Sequence, residues 1–366
     1  MFHLPFLLQS RFLFTLCPVI IYFASMNSSN EQTNNKITIL AIESSCDDTS
    51  AAVCVDGVIR SNIIATQKVH AKYGGVVPEL ASRAHIQNIV PAVHEALEAA
   101  QTTLQDLDAI AFTQSPGLIG SLLVGVQFAK STALALNKPL IAVHHMQAHV
   151  LANLIDAENR PSFPFLCLTV SGGHTQIVLA KSPLELEVIG ETIDDAAGEA
   201  FDKCAKLLGL PYPGGPLVDK NAQDGNPLAF KFAEPQMPDL QFSFSGLKTS
   251  VLYFLQKQDP GFIEQNLPDL CASIQHTIIN ILLKKLNKAV LQTGVKRVCI
   301  AGGVSANSGL RNGLQEIGRK YGWQTYIPAF QYCTDNAAMI AITAFYKYQA
   351  GLFAGLDASP SARAEW

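Results

Sequence analysis

Two histidines four residues apart are the clearest candidate for metal chemistry in this sequence. His145 and His149 lie in a segment with helical periodicity, and side chains at this spacing lie on one helix face about one turn apart. Two imidazoles so placed can bind one metal ion. Asp335 follows Thr334 at the start of the last predicted helix. Its carboxylate could complete a two-histidine, one-carboxylate set with open positions for a substrate; without a metal, the histidines would be core or capping residues.

The residues between the histidines argue against a metalloprotease. The HExxH motif needs a glutamate directly after the first histidine as general base. Here Met146 follows His145, and the segment 146–148 contains no acid. Peptide hydrolysis is therefore disfavoured.

Three glycine-containing turns follow predicted strands, where backbone N–H groups can bind phosphate oxygens. They are Ser-Gly-Gly at 171–173, Gly-Gly-Pro at 214–216 and Gly-Gly-Val-Ser-Ala-Asn at 302–307. A single turn of this kind often needs glycine only for its backbone conformation. Three of them, together with the polar loop 43–49, favour a nucleotide-binding cleft, although the chain has neither a Walker A loop nor a GxGxxG motif.

Three aspartates mark an acidic predicted helix over residues 193–203. Because carboxylates are stabilised near a helix N-terminus, Asp194 and Asp195 are predicted to cap this helix. Asp202 lies deeper in the helix near apolar neighbours, so we predict that it contacts a ligand.

The elements that must position these residues alternate between strand and helix, which is typical of an α/β protein. A strand, a polar turn and a returning strand occur near the start of the chain and again near its middle. The two pairs of predicted strands are 36–42 with 50–55, and 165–170 with 175–180. This repetition indicates an internal duplication, with two sheet-and-helix halves facing each other across a cleft and a linker at 156–162.

Composition limits the function classes. The chain has 366 residues, 48% hydrophobic and 15% charged, with 26 lysines and arginines against 30 acids and a net charge of −4. This excludes a disordered protein and disfavours a broad, non-specific DNA-binding surface. The length alone predicts two or three domains. The eight cysteines are scattered without a CxxC pair, so we interpret them as thiols in a reducing compartment.

The first 25 residues differ from the rest of the chain. They are apolar with one charged residue, and Pro18 interrupts the run 12–24. Tyr22 stands where a signal peptide needs a small residue, and a single arginine is too little for a transit peptide. We interpret residues 1–36 as a leader outside the folded core and favour Met26 as the start. The expected location is the bacterial cytoplasm, or the mitochondrion if the leader is a transit peptide, and no membrane partner is expected.

A series of motifs, in order from residue 37 to about 349, resembles the tRNA N6-adenosine threonylcarbamoyltransferase family, formerly mislabelled as glycoprotein endopeptidases. The motifs occupy residues 42–49, 73–83, 130–150, 170–175, 201–203, 242–249, 302–307 and 334–338. The resemblance implies a duplicated actin-like ATPase (ribonuclease H-like) fold with two lobes around a nucleotide and metal cleft. It implies a first lobe at 37–162, completed by a helix at about 335–350, and a second lobe at 163–334.

The resemblance also implies the roles of individual residues. His145, His149 and Asp335 would bind one divalent metal ion, with iron(II) favoured although the ligand set also suits zinc. Asp47 is the candidate catalytic residue, positioning the incoming base or a proton. The implied substrate-binding residues are Thr169, Val170, Ser171, Gly172, Gly173, Asp202, Gly215, Asp219 and Asn307.

The implied reaction transfers a threonylcarbamoyl group from threonylcarbamoyl-AMP to the exocyclic amine of an adenosine in tRNA. The target is the adenosine 3′ of the anticodon in tRNAs reading codons that begin with A. Besides tRNA and the donor, the resemblance implies bacterial-type helper proteins, namely a degenerate paralogue and a small ATPase. Two other functions stay open: an actin-like or sugar-kinase-like ATPase, which would not need the three metal ligands, and a non-catalytic scaffold paralogue, which usually lacks the histidines.

Overall fold

The computed structural model describes residues 36–364 of the chain. Our predictions for the leader concern residues outside this described range. Within it, two five-stranded sheets form the framework, each made of three antiparallel strands and two parallel ones.

The strand order of the two sheets is the same. The first sheet has the order β3-β2-β1-β4-β5, and the second has the order β8-β7-β6-β9-β10. In the first sheet, β1 pairs antiparallel with β2 and parallel with β4. In the second sheet, β6 likewise pairs antiparallel with β7 and parallel with β9. The strands are β1 Thr38–Glu43, β2 Asp48–Val55, β3 Val58–Thr66, β4 Ala109–Ser115, β5 Leu140–His144, β6 Phe165–Val170, β7 Thr175–Ser182, β8 Glu185–Glu191, β9 Arg297–Ala301 and β10 Gln324–Tyr326. This correspondence confirms the predicted duplication.

Each half begins with three antiparallel strands, whereas the sequence pattern predicts only the first two of them. Asp56 and Gly57 have positive φ angles of 50° and 76°, as a two-residue hairpin turn requires, so the chain returns as β3. This outer strand and its counterpart β8 carry exposed and partly buried side chains. They therefore lack the continuous apolar run that identifies a central strand.

Nine α-helices in the described range flank the sheets. They are α1 Pro78–Ala99, α2 Ile119–Leu136, α3 His145–Leu151, α4 Ala197–Leu207, α5 Gly214–Ala222, α6 Ser245–Leu255, α7 Phe262–Thr293, α8 Ser308–Tyr321 and α9 Ala337–Gln349. Helices α1 and α2 pack on one face of the first sheet and α9 on the other. Helices α4 and α7 cover one face of the second sheet, where Phe201 and Ile278 pack with Leu168.

Helices α3 and α9 lie at the junction of the two halves. Ala148 and Ala338 pack with the first sheet. Val150 and Ile342, on other faces of the same helices, pack with buried residues of the second sheet, including Cys167. Both helices thus begin in the space between the sheets, which is where the candidate metal ligands are found. The predicted lobe boundaries, 37–162 and 163–334, stay predictions.

Helix α2 is long and apolar enough, by length and composition, to span a membrane. Its buried face, with Leu122, Val126 and Ala129, packs against the first sheet. The seven cysteines of the described range are free, and six of them are buried.

Candidate metal centre and nucleotide cleft

The structure brings the three predicted metal ligands together. His145 begins α3 directly after β5, and one turn later His149 places its ring 4.7 Å from that of His145, centroid to centroid. Asp335 lies two residues before α9, whose N-cap is Asn336, so it does not belong to the helix as predicted. Its Oδ1 atom is 3.4 Å from Nε2 of His145 and 3.2 Å from Nε2 of His149.

The donor set fits a divalent metal ion. One ligand atom from each of these three residues can be chosen so that all lie within 4.8 Å of one another. Both histidines are buried, and Asp335 is partly exposed, so the group is reachable from one side. Two imidazole nitrogens and one carboxylate oxygen are the ligands of many zinc and non-haem iron sites.

Glu43 orients His145, a role that the sequence analysis did not assign. This carboxylate is fully buried at the end of β1, and its Oε2 atom lies 3.1 Å from Nδ1 of His145. It also accepts hydrogen bonds from the Ser45 backbone N–H and the Thr113 hydroxyl. A hydrogen bond at Nδ1 leaves Nε2 to face a metal ion. The sequence does contain a sign of this role, because Glu43 ends a buried apolar strand and a buried charge needs a partner.

The electrostatics of the metal-free site favour a proton on His145. Burial lowers the pKa of this histidine, but the carboxylates of Asp335 and Glu43 outweigh burial and raise it to about 10. Burial raises the pKa of the two carboxyl groups, and His145 in turn holds both below their ordinary values. Burial lowers the pKa of His149. At neutral pH the metal-free site therefore contains one imidazolium ion and two carboxylates.

Metal binding should consequently release a proton. Because the pKa of His145 is about 10, its ring must lose a proton at any neutral pH before Nε2 can bind a metal ion. The apparent metal affinity should then rise about tenfold per pH unit between pH 7 and 9 and fall toward acid. Calorimetric titrations in buffers of different ionisation enthalpy measure the released proton directly. The exposed His94→Gln variant should behave like the unmodified chain, and an affinity independent of pH over this range would contradict the assignment.

A cavity of about 800 Å³ opens beside these ligands. This volume suits a nucleotide-sized ligand. Its wall comes from the loop after β1, the start of α2, the turn after β6, α4, the turn after β9 and the segment before α9. The lining residues are Ser45, Cys46, Asp47, Asp48, Pro116, Gly117, Leu118, His145, Ser171, Gly172, Gly173, His174, Glu199, Asp202, Tyr212, Gly303, Thr334, Asp335, Ala362, Arg363 and Ala364.

The glycine turns reach the cavity because two other glycines allow close packing behind them. A Cβ atom on Gly198 would lie 2.5 Å from the carbonyl oxygen of Ser171, and one on Gly302 would lie 2.4 Å from that of Val170. Gly302 also has a φ of 83°, which favours glycine. In contrast, nothing lies within 4 Å of an added Cβ on Gly172 or Gly173. Their backbone is open to the cleft, which is what binding of phosphate oxygens requires.

Several predicted substrate-binding residues have polar partners within the protein. Asp202 accepts hydrogen bonds from the backbone N–H groups of Gly214 and Gly215 at 2.8 and 3.0 Å, and it lines the cavity. Asp219 accepts from the backbone and hydroxyl of Ser308. These contacts fix the N-termini of α5 and α8.

Five of the predicted substrate-binding residues do not line the cavity. Asn307 caps α8 by accepting from Leu310 N–H and donates to Gln275. Thr169 and Val170 are fully buried in β6. The structure therefore places Ser171, Gly172, Gly173 and Asp202 on the cavity wall and leaves Thr169, Val170, Gly215, Asp219 and Asn307 outside the lining set. Asp47, the candidate catalytic residue, lies on the wall.

The predicted capping role of Asp194 and Asp195 is wrong. Helix α4 begins at Ala197 and has no side-chain cap. Asp194 instead accepts hydrogen bonds from the Ser243 hydroxyl and the Phe244 backbone N–H, and Asp195 forms an ion pair with Lys203. The acids were assigned to the nearest helix in sequence, whereas the partner of Asp194 is brought to it by the tertiary fold.

Comparison with known proteins identifies the family of this chain. The TsaD family profile, described as tRNA N6-adenosine threonylcarbamoyltransferase, matches residues 58–342. Two proteins of that name are similar over most of this chain. The one from Christiangramia forsetii is 61% identical over 335 residues, 90% of this chain and 98% of that protein. The one from Porphyromonas gingivalis is 59% identical over 334 residues, 89% of this chain and 98% of that protein.

More distant solved structures share the fold. Full-length HypF in a phosphate- and nucleotide-bound form superposes with a TM-score of 0.60 at 13% identity, covering 87% of this chain and 47% of HypF. Component A of (R)-2-hydroxyglutaryl-CoA dehydratase from Acidaminococcus fermentans gives a TM-score of 0.50 at 14% identity, covering 86% and 99%. These neighbours support the actin-like, duplicated architecture. With the profile match over most of its length and relatives about 60% identical, the chain belongs to the tRNA N6-adenosine threonylcarbamoyltransferase family.

Proposed function

We propose that this chain transfers a threonylcarbamoyl group from threonylcarbamoyl-AMP to N6 of the adenosine 3′ of the anticodon in tRNAs reading A-starting codons. Its family membership makes it a transferase that modifies tRNA. The observation that carries the finer proposal is the shared cavity: the metal ligands His145 and Asp335 and the open glycine turn at Gly172 and Gly173 line the same space.

The reaction exchanges one bond for another at the carbamoyl carbon. The N6 nitrogen attacks this carbonyl carbon, a C–N bond forms, and the C–O bond to the AMP phosphate breaks. AMP leaves with the bonding electron pair, and N6 loses one proton. Because the donor is a mixed carboxylic–phosphoric anhydride with a good leaving group, stabilising the developing charge matters more than a strong base.

Different residues of the cavity would stabilise the developing charge, bind the phosphate and orient the metal ligand. A divalent metal ion held by His145, His149 and Asp335 would supply Lewis acidity toward the donor. The backbone N–H groups of the turn at Gly172 and Gly173 bind the adenylate phosphate. Glu43 keeps the imidazole of His145 in the orientation and tautomer that metal binding needs.

Asp47 positions the incoming base or takes its proton, and Asp47→Asn tests this role. The side chain lies on the cavity wall beside Asp48, on the loop that follows β1. We expect the variant to lower kcat about 100-fold, as for a lost general base, while the metal content stays the same. Single-turnover transfer with metal analysis measures both, and an unchanged turnover would remove Asp47 from the mechanism.

Iron(II) is the proposed metal. Two histidines and one carboxylate with open positions are the ligand set of many non-haem iron(II) sites, and no thiolate belongs to the three-residue ligand group found in the described range. Metal analysis of protein purified without oxygen and without chelators decides between iron and zinc.

Helper proteins are proposed to share tRNA binding. The net charge of −4 leaves little basic surface for the phosphates of a tRNA. We propose a degenerate paralogue and a small ATPase as partners and a bacterial cytoplasmic location. The isolated chain should bind tRNA weakly.

The proposal is tested by supplying threonylcarbamoyl-AMP, tRNA and the helper proteins and analysing digested tRNA for the modified nucleoside by mass spectrometry. A transferase yields this nucleoside and AMP. An ATPase or kinase would instead turn over ATP without needing His145, so a His145→Ala variant that retains ATP turnover would support that alternative. A scaffold would yield no product although every other component is active.

A further inference from the structure

The last described segment of the chain is attached to the wall of the cleft. Residues 357–364, which we name the C-terminal strap, follow an isolated bridge between Ala354 and Leu140 of β5. The strap runs past the end of β4, where Gln114 donates from its side chain to the Ser359 carbonyl at 3.0 Å. The Gln114 carbonyl in turn accepts from the Ser361 backbone N–H at 3.1 Å.

Two further contacts bring the strap to the metal centre. The Gly117 backbone N–H donates to the Ala362 carbonyl at 3.3 Å. His144, the residue before the metal ligand His145, forms a hydrogen bond with the backbone of Ala364. Between these attachments lies Arg363, and residues 362–364 belong to the lining of the cavity.

Among the described residues that line this cavity, Arg363 is the only lysine or arginine. The same wall carries five carboxylates, namely Asp47, Asp48, Glu199, Asp202 and Asp335. The family reaction brings an anionic donor into this acidic space, and Arg363 offers it a positive charge outside the candidate metal centre. Nothing in the described range forms an ion pair with the Arg363 guanidinium.

The chemistry of a guanidinium suits this task. It keeps its charge at every physiological pH, and its planar N–H groups form paired hydrogen bonds with a phosphate or a carboxylate. The proposed donor offers both groups, the phosphate of its adenylate and the carboxylate of its threonine. Four hydrogen bonds hold the backbone on either side of Arg363, which limits how far its side chain can move from the cavity.

We infer that Arg363, held in place by the C-terminal strap, is the residue that binds an anionic group of the donor in the cleft. This inference rests on the proposed function. It makes Arg363 a substrate-binding residue, and it makes Gln114 a positioning residue that acts through the strap.

The test compares Arg363→Ala, Arg363→Lys and the exposed control Arg319→Ala in transfer assays with varied donor. A lost hydrogen-bonded charge pair should raise KM for the donor about 10- to 100-fold with kcat within about twofold, and lysine should restore part of the loss. Arg319→Ala should leave KM unchanged. If Arg363→Ala has the donor KM of the unmodified chain, the inference is wrong. Failure of the proposed function looks different, because the unmodified chain would then make no product.

Equilibrium binding of AMP distinguishes the two anionic groups without turnover. If Arg363 binds the phosphate, Arg363→Ala weakens AMP binding as much as it raises the donor KM. If Arg363 binds the threonine carboxylate, AMP binding stays unchanged while the donor KM still rises. Either result supports the inference and names the group. Unchanged AMP binding together with an unchanged donor KM contradicts it.

Gln114→Ala tests the role of the strap. It removes the side-chain hydrogen bond to Ser359 and should raise the donor KM in the same direction as Arg363→Ala but less. Because both residues act on one contact, the double variant should resemble Arg363→Ala alone. Fully additive effects would show that Gln114 does not act through Arg363.

Discussion

Asp335→Asn should remove both the bound metal and the transfer activity. The Asp335 carboxylate lies next to both histidines, with its Oδ1 atom 3.4 Å from His145 Nε2 and 3.2 Å from His149 Nε2. Asparagine keeps the shape of the side chain but loses the charge that neutralises a divalent ion. We expect the metal content to fall to a small fraction and kcat to fall at least about 100-fold, which corresponds to roughly 3 kcal/mol of transition-state stabilisation.

Metal analysis and single-turnover transfer on the same preparation measure this effect. The matched control is Asp224→Asn, an exposed aspartate outside the cavity lining, which should retain metal and rate. If Asp335→Asn keeps its metal and its rate, the three residues are not the metal centre of this enzyme.

Glu43→Gln should weaken metal binding although it replaces none of the three candidate metal ligands. Both carboxylate oxygens of Glu43 accept hydrogen bonds, from Ser45 N–H on one and from Thr113 and His145 on the other. An amide must turn its NH2 group toward one of these donors. We expect metal affinity to fall about 10- to 100-fold and the free energy of unfolding to fall by about 1–3 kcal/mol.

The number of protons released on metal binding shows whether Glu43 acts on His145 or only stabilises the fold. Without the Glu43 charge, the pKa of His145 moves toward its ordinary value, so metal binding near pH 7 should release fewer protons than in the unmodified chain. Glu185→Gln, on the exposed surface of β8, is the control for both measurements. Metal affinity and proton release equal to those of the unmodified chain would show that Glu43 does not orient the ligand.

The parts of the site that depend on local spacing were predictable from the sequence. A spacing of four residues places His145 and His149 on one side of α3, and glycine turns at strand ends mark backbone that can approach a phosphate. The repeated strand-turn-strand pattern likewise indicated the duplication that the two sheets confirm. Asp335 is predicted as the third ligand from its place at the start of the last predicted helix, and the family resemblance implies the same pairing, which no spacing rule could make across the 186 positions from His149.

The parts that depend on tertiary packing were not predictable in this way. Glu43 is 102 residues from the imidazole it orients, and Asp194 accepts a hydrogen bond from a backbone N–H 50 residues away. In both cases the side chain has the local appearance of an ordinary turn or helix-cap residue. The strap is similar, because its residues acquire a function only through contacts with the end of β4 and with His144.

The duplication explains why the chemistry lies where it does. In each half, the turn between the first two strands of the sheet reaches the cleft, and the two turns carry different residues: Asp47 and Asp48 in one, Gly172 and Gly173 in the other. Helix α3 and the segment before α9 add the candidate metal ligands between the sheets. One turn is thus acidic and the other exposes backbone N–H groups, so the two halves of a repeated fold present different chemical groups to the same cavity.

A single-turnover experiment with donor labelled at the carbamoyl carbon follows the proposed transfer itself. The complete system contains this chain, its helper proteins, a tRNA with adenosine 3′ of the anticodon and, in parallel, the same tRNA with guanosine there. We expect label to move to N6 of that adenosine, with one AMP released per transfer. We expect no label on the guanosine tRNA and none with Asp335→Asn. If Asp335→Asn transfers label as fast as the unmodified chain, or if the unmodified chain transfers none, the proposed metal-dependent transfer is wrong.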